Sequence, residues 1–256
     1  TPNIDQLAAR GVRFTQAYAQ APICGPSRSC FYTGRYMSSH GSTWNWVPLP
    51  IGERTLGDFL RPHGYRVAVT GKTHIAADVD GMRRLGIDPK SKKGSLIGQG
   101  GFEPFTRHDG VHATLKSSAN LAYNSFLRQH GYESENPWQD YANSVTCPDG
   151  TIASGWHLRN SNKPSRVADE HSETAFITDR AMDFIREQRD HPWCLHLSYI
   201  KPHWPYIASA PYHQLFHPDD CLPAHRLEEE RINPHPVYQA FMNNEVSKTF
   251  SRDEVR

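Results

Sequence analysis

The sequence lacks any apolar run approaching the ~20 residues of a membrane span. No apolar stretch near its first residue reads as a signal peptide. It lacks a charge excess: 28 Lys and Arg against 27 Asp and Glu leave a formal +1. No global field therefore favours nucleic acid or a membrane surface. Cysteine is scarce, five in 256 residues, too few for a disulfide framework. None sits in a Cys-x-x-Cys pair, which argues against a structural zinc. Histidine is plentiful at fifteen, yet none forms His-Glu-x-x-His or another metal-ligand spacing. Repeats and low-complexity tracts are absent. So is an initiator Met, and the last residues, Asn243 to Arg256, break off without a stop signal. The expectation is a piece of a longer protein.

Hydrophobic residues make up 37% with Tyr included. Counting Gly in place of Tyr gives about 40%, a little under the usual ~45–50%. Six Trp, eleven Phe and eleven Tyr still supply the bulk that a core needs. Residues 3–10 read as a helix capped by Asn3 and ended by Gly11, with Ile4, Leu7 and Ala8 on one face. Val12 to Tyr18 reads as a strand. A short helix is predicted over 55–62, with Leu56, Phe59 and Leu60 inward, then a strand over 65–70. Residues 174–189 keep the helical period through Ala175, Ile177, Ala181, Phe184 and Ile185, and a strand follows over 193–200. Strand–helix alternation predicts an α/β fold with a mostly parallel sheet. The stretch 77–165, rich in Gly, Ser, Asn and Lys, reads as a partly irregular insertion over one end of the sheet, with one helix over 118–130.

Three polar clusters follow segments read as strands. In an open α/β sheet the ligand site lies beyond the carboxyl ends of the strands, so clusters distant in sequence would meet there. The first is Cys24-Gly25-Pro26-Ser27-Arg28, continuing to Thr33-Gly34-Arg35. Pro26 suits the first turn of a helix. Cys24 would then sit at a helix N-terminus, where unpaired N–H groups favour anions and lower a thiol's pKa. Arg28, one turn on, can fork two hydrogen bonds to an oxyanion. The competing reading is a buried structural Cys beside a turn.

The second cluster is Gly71-Lys72-Thr73-His74. Residues two apart in an extended segment face the same side, pairing a fixed charge with a group that titrates near neutrality; the alternative is an exposed loop. The third is Lys201-Pro202-His203-Trp204-Pro205-Tyr206, where two prolines fix the backbone around His203; the alternative is a rigid surface turn. His40, Ser42 and Asn45 follow the first cluster and could line the same edge. Cys30, Cys147, Cys194 and Cys221 read as buried or incidental, Cys194 as core. His108, His112, Trp138, Trp156 and His157 could contact a ring of the substrate, but aromatic residues more often pack in a core.

Cys24-x-Pro26-Ser27-Arg28 with Thr33-Gly34-Arg35 resembles the sulfatase signature. Thr1-Pro2-Asn3-Ile4-Asp5 with Leu7-Ala8, Gly11 and Phe14 resembles the first helix and strand of that family. Gly71-Lys72-x-His74 resembles its Lys-x-His element, and Lys201-Pro202-His203 its late His loop. Cys24-Gly25-Pro26, with Asn45 ahead of Val47-Pro48-Leu49 and the tail from Pro205 to Phe241, is similar to the phosphonate monoester hydrolase branch. That branch tends to have Tyr and Thr where Lys72 and His74 stand here. Phe31-Tyr32 replaces the usual Leu-Leu, and Thr73 the usual Trp, changes expected to affect packing more than chemistry.

The resemblance implies a three-layer α/β/α alkaline-phosphatase-like fold, incomplete here, with residues 1–256 as part of the N-terminal catalytic domain. It implies hydrolysis of sulfate monoesters by a formylglycine made from Cys24 by a maturation enzyme. Arg28 would hold the hydrated aldehyde, Lys72 would bind sulfate oxygens, His74 would take the diol proton, and His203 would protonate the leaving oxygen. Asn45 is a substrate-side candidate. A divalent metal is implied, Ca²⁺ ahead of Mn²⁺ or Mg²⁺, with Cys24 as its one ligand in this chain. The family's metal aspartates should lie outside this segment. Alternatives are a phosphonate monoester or phosphodiester hydrolase on the same scaffold, and a non-catalytic fragment. The partners implied are a small-molecule or glycan sulfate ester and the maturation enzyme. The compartment, cytoplasmic or periplasmic/secreted, stays open, as do the substrate's alcohol and the oligomeric state.

Overall fold

The computed structural model describes residues 1–110, 121–223 and 227–250. His112 lies outside the described residues. The chain forms two compact units. Among the described residues, no helix is long and apolar enough to cross a membrane.

The first unit comprises Thr1–Val67 and Thr73–Glu103. Helix α1, Pro2–Ala9, is capped by Thr1, not Asn3. Pro2 takes the first turn, where its missing N–H costs nothing. None of α1 is buried, so its apolar stripe meets no core here. Residues 12–18 form no strand, and Val12 and Phe14 are 81% and 79% exposed. No described strand lies alongside them, and an unpaired strand lacks the ladder that stabilises it.

Helix α2, Cys24–Thr33, ends on Gly34 at φ +67°, the left-handed cap that Gly adopts without a Cβ penalty. Helices α3, Met37–His40, and α4, Leu56–Leu60, follow. Asp58 accepts from the Thr55 N–H and hydroxyl, each at 2.9 Å, which closes the first turn of α4. Leu56 and Phe59 face outward, contrary to the predicted register. Gly57 faces inward instead, because the Gly101 carbonyl comes too close to admit a side chain. Helices α5, Val79–Arg84, and α6, Lys92–Gly98, are N-capped by Asp78 and Ser91, which accept from Gly81 and Gly94 N–H at 2.9 and 3.1 Å. Tyr32 and Phe102 pack edge to face at 5.1 Å in the buried interior of this unit.

The second unit comprises Ala68–Lys72 and Pro104–Arg256. Its sheet is parallel, in the order β2-β1-β5. The strands are β1, Arg66–Gly71, and β2, Glu103–Arg107; then, after helix α7, Ala122–Gln129, the hairpin β3, Ser144–Thr146, with β4, Ile152–Ser154, and helix α8, Glu173–Glu187, comes β5, Trp193–Ser198. Helices α9, Glu229–Ile232, α10, Pro236–Asn243, and α11, Glu245–Phe250, follow. Central strand β1 is buried from Val67 onward, as expected of a parallel strand covered on both faces.

Ser172 caps α8 by accepting from Ala175 N–H at 3.2 Å. Helix α8 buries Phe176, Ile177, Ala181 and Phe184. Ile185 faces out and Ala175 is half-buried, so the buried stripe is centred about one residue from its predicted place. Tyr123, Leu127, Trp138, Trp156, Phe176 and Ile177 share one core. Within 77–165 the described residues include regular elements that the composition did not announce. This stretch supplies α5 and α6, strand β2 of the main sheet, and two core tryptophans.

The carboxyl ends of the strands are tied together. Lys72 N–H donates to the Ser198 carbonyl at 3.1 Å, and His108 N–H to the Gly71 carbonyl at 3.2 Å. Gly71, at φ +101°, lets the Ser198 backbone approach inside the space that a Cβ would fill.

Candidate active site

In the first unit Cys24 is the first residue of α2 and is half-buried, with Pro26 in the same turn. Unpaired amides at this end favour a negative group. Asn45 reaches over it: its Oδ1 accepts from Gly25 N–H at 2.9 Å and from Cys24 Sγ at 3.5 Å. A Cβ on Gly25 would stand 2.8 Å from that Oδ1 and 3.6 Å from the His74 carbonyl oxygen. Gly25 therefore allows the Asn45 and His74 segments to close on the start of α2.

Arg28 lies one turn further along α2, and its Nη1 donates to the Tyr32 hydroxyl at 3.3 Å. That hydroxyl donates to the Thr73 carbonyl at 3.2 Å. The Thr73 hydroxyl donates to Gln99 Oε1 at 3.0 Å. Tyr32 is 1% exposed. The sequence reading treats Tyr32 and Thr73 as packing changes, but their bond joins Arg28 to the segment that carries His74. No local signal marks such a bond across 41 residues. His74 adopts φ +51°, the left-handed region. An alternation argument needs an extended backbone, which His74 does not adopt.

His40 and Ser42 belong to the core, not to the site edge. His40 Nδ1 accepts from Ser42 N–H at 3.1 Å, so the neutral ring carries its proton on Nε2, 3.3 Å from Cys30 Sγ. Burial pushes the Cys30 thiol up and the His40 imidazole down. Both stay neutral, and the pair is no nucleophile–base couple. Cys194 is half-buried in β5, where burial raises its pKa, and Cys221 is exposed.

In the second unit Lys72 and the loop 199–206 stand at the carboxyl edge of the sheet, after β1 and β5. Lys72 is 5% exposed, which overturns the exposed-loop reading. His203 is exposed, and its N–H donates to the Ile200 carbonyl at 2.9 Å. Its Nδ1 lies 2.7 Å from the Trp204 carbonyl. A carbonyl only accepts, so Nδ1 carries a proton and the ring exchanges protons through Nε2.

A buried charge cluster lies behind this edge. Glu173, the first residue of α8, accepts from His108 Nε2 at 2.5 Å and from Trp138 Nε1 at 2.8 Å. Burial alone would raise its pKa, but these donors and the nearby Lys201 ammonium outweigh it and hold the carboxyl at about 2. Burial lowers the Lys201 pKa, which Glu173 partly offsets. Sequence reasoning placed Lys201 in the His203 cluster without a role of its own and missed Glu173, because His108 and Glu173, 65 residues apart, carry no joint signal. His108 and Trp138 serve this cluster and the core, Trp156 is core, and His157 is half-buried.

Among the described residues no group of three or more His, Cys, Asp or Glu could hold a metal ion. The described residues therefore do not by themselves compose a metal centre.

The family model for sulfatases matches residues 1–221. The multifunctional alkaline phosphatase superfamily protein PehA of Trinickia caryophylli is 29% identical over 248 residues, 95% of this chain and 44% of that protein. Mouse steryl-sulfatase is 28% identical over 244 residues, 81% of this chain and 39% of that protein. The phosphonate monoester hydrolase of Agrobacterium radiobacter superposes with a TM-score of 0.72 at 26% identity, covering 94% of this chain and 44% of that one. The chain thus spans less than half the length of these relatives, and its parallel sheet with helices is the alkaline-phosphatase-like α/β fold in part. With the match running through the Cys24 turn, the Lys72 edge and the His203 loop, the chain belongs to the sulfatase family.

Proposed function

We propose that the protein hydrolyses sulfate monoesters through a formylglycine made from Cys24. The observation that carries the reading is the placement of Cys24. It opens α2 at the amide end of the helix, with the Asn45 side chain on the same turn and Arg28 one turn along. Matured, the residue would supply a hydrated aldehyde, one oxygen of which attacks sulfur while the other later expels sulfate and restores the aldehyde.

The chain's own groups fit the remaining needs. Charge on sulfate oxygens calls for fixed cations and N–H dipoles, supplied by Lys72, by Arg28 on its Tyr32–Thr73 strut, and by the start of α2. The departing alcohol oxygen needs a proton as its bond to sulfur breaks; His203 Nε2 would give it, since Nδ1 is engaged with the Trp204 carbonyl. His74 would take the proton of the second hydroxyl as sulfate leaves. Asn45 would line the substrate side. A divalent cation, Ca²⁺ ahead of Mn²⁺ or Mg²⁺, would have the residue made from Cys24 as its one ligand among the described residues. Residues 1–256 would be part of the catalytic domain, with 77–165 contributing to the substrate edge.

A second reading has a specific ground. The Agrobacterium structure is that of a phosphonate monoester hydrolase, and hydrolysis of phosphonate monoesters or phosphodiesters on the same scaffold is the alternative. Lys72 and His74 favour sulfate. The test is the complete protein produced with a formylglycine-generating enzyme and assayed on an aryl sulfate and a phenyl phosphonate ester. The sulfate is expected to react faster, the Cys24 peptide to show the mass loss of thiol-to-aldehyde conversion, and Cys24→Ala to be inactive. Full activity in Cys24→Ala overturns the proposal.

A further inference from the structure

The loop after β5 is anchored on both sides of His203 while the imidazole itself stays exposed. Ile200, Pro205 and Ile207 are buried, and Trp204 Nε1 donates to the Trp156 carbonyl at 2.8 Å. Lys201 Nζ donates to the Pro205 carbonyl at 2.6 Å, a charge-assisted bond that closes the loop across residue 203. A half-buried ammonium is costly unless compensated. The compensating charge is Glu173, which lines the same cavity of about 580 Å³ as Lys201.

Glu173 is itself 6% exposed and stays ionised for structural reasons. It sits at the positive end of α8 and accepts from His108 and Trp138. His108, 1% exposed, follows β2 directly. The charge network thus runs from the end of β2, through the start of α8, to the loop that follows β5.

We propose that Lys201, supported by the Glu173–His108 pair, is a positioning residue for His203, holding the imidazole where it meets the leaving oxygen. This rests on the reading of His203 as proton donor. In that step His203 Nε2–H gives its proton to the alcohol oxygen as the S–O bond breaks, leaving a neutral ring. An alcohol that leaves readily as its anion needs little of this proton; a poor leaving group needs all of it. General acid catalysis of this kind contributes about 10²–10⁴-fold.

The test is a leaving-group series of aryl sulfates, from 4-nitrophenyl to unsubstituted phenyl, on the complete matured protein. Lys201→Met removes the ammonium while keeping the stem. It is expected to lose about 10- to 100-fold on the poorest leaving group, a partial loss of the acid's full effect, and about threefold or less on the best. Glu173→Gln leaves Lys201 in place without its counter-charge and is expected to steepen the same dependence more weakly; it serves if Lys201→Met is insoluble. His203→Ala must steepen the dependence most. If His203→Ala steepens it but the Lys201 or Glu173 variant loses activity uniformly or not at all, the positioning role is overturned and the His203 reading stands. If His203→Ala does not steepen it, both fall.

Discussion

Replacing Gly71 with Ala would drive a Cβ into the Ser198 carbonyl, on a backbone held at φ +101°. Two terms add. A positive φ costs a residue with a Cβ roughly 1–2 kcal/mol. Forcing extra volume against fixed backbone costs about 1–3 kcal/mol, and Ser198 cannot yield cheaply, because its oxygen also accepts the Lys72 N–H at 3.1 Å. Together they predict about 2–5 kcal/mol of destabilisation. For a unit of this size each kcal/mol lowers Tm by roughly 2–4 °C, so a drop near ~10 °C is expected. Gly34→Ala is the control: it has φ +67° and no heavy atom within 4 Å of its Cβ. It carries the φ term alone, and its drop should be roughly a third as large. Differential scanning calorimetry of the complete protein reads both, and the hydrolase assay below both midpoints reads the displacement of Lys72. Midpoints within ~2 °C of each other for the two variants would refute the argument that close approach, beyond φ, requires Gly at 71.

Other outcomes follow from the same contacts. Asn45→Ala leaves the Gly25 N–H without its acceptor and should cost about 1–3 kcal/mol in chemical denaturation; Asn45→Asp, which keeps an acceptor, should cost less, and equal losses would contradict the capping role. Glu173 has its carboxyl lowered from 4.5 to about 2. Its contribution is therefore full above 4.5 and lost as pH falls toward 2, about 3 kcal/mol at 1.36 kcal/mol per unit. Urea titrations across that range should show Glu173→Gln losing less stability with acid than the unsubstituted protein; parallel curves would sink the idea.

Where the sequence was readable, the signals were short-range. Pro26 in a first turn and Gly34 as terminator placed Cys24 at the start of α2. The period of residues 174–189 announced α8, though the buried stripe sits about one residue away because packing against the core, not the pattern's average, sets the rotation. Strand β2 was missed because Pro104 and its charged ends disguise the alternation of a half-buried strand. Helices α5 and α6 were missed although Asp78 and Ser91 are ordinary N-caps.

What the sequence by itself determined is the family, the turn that carries Cys24, and the parallel α/β class. Each depends on residues within a few positions, where backbone hydrogen bonding and period act. What only the tertiary structure decided is the company these residues keep: Lys72 buried, His74 left-handed, Arg28 strutted by Tyr32 to Thr73, and Glu173 joined to His108 with its charge felt at Lys201. Tyr32 and Thr73, and His108 and Glu173, lie tens of residues apart along the chain. Burial and charge compensation arise only once folding removes water from between them.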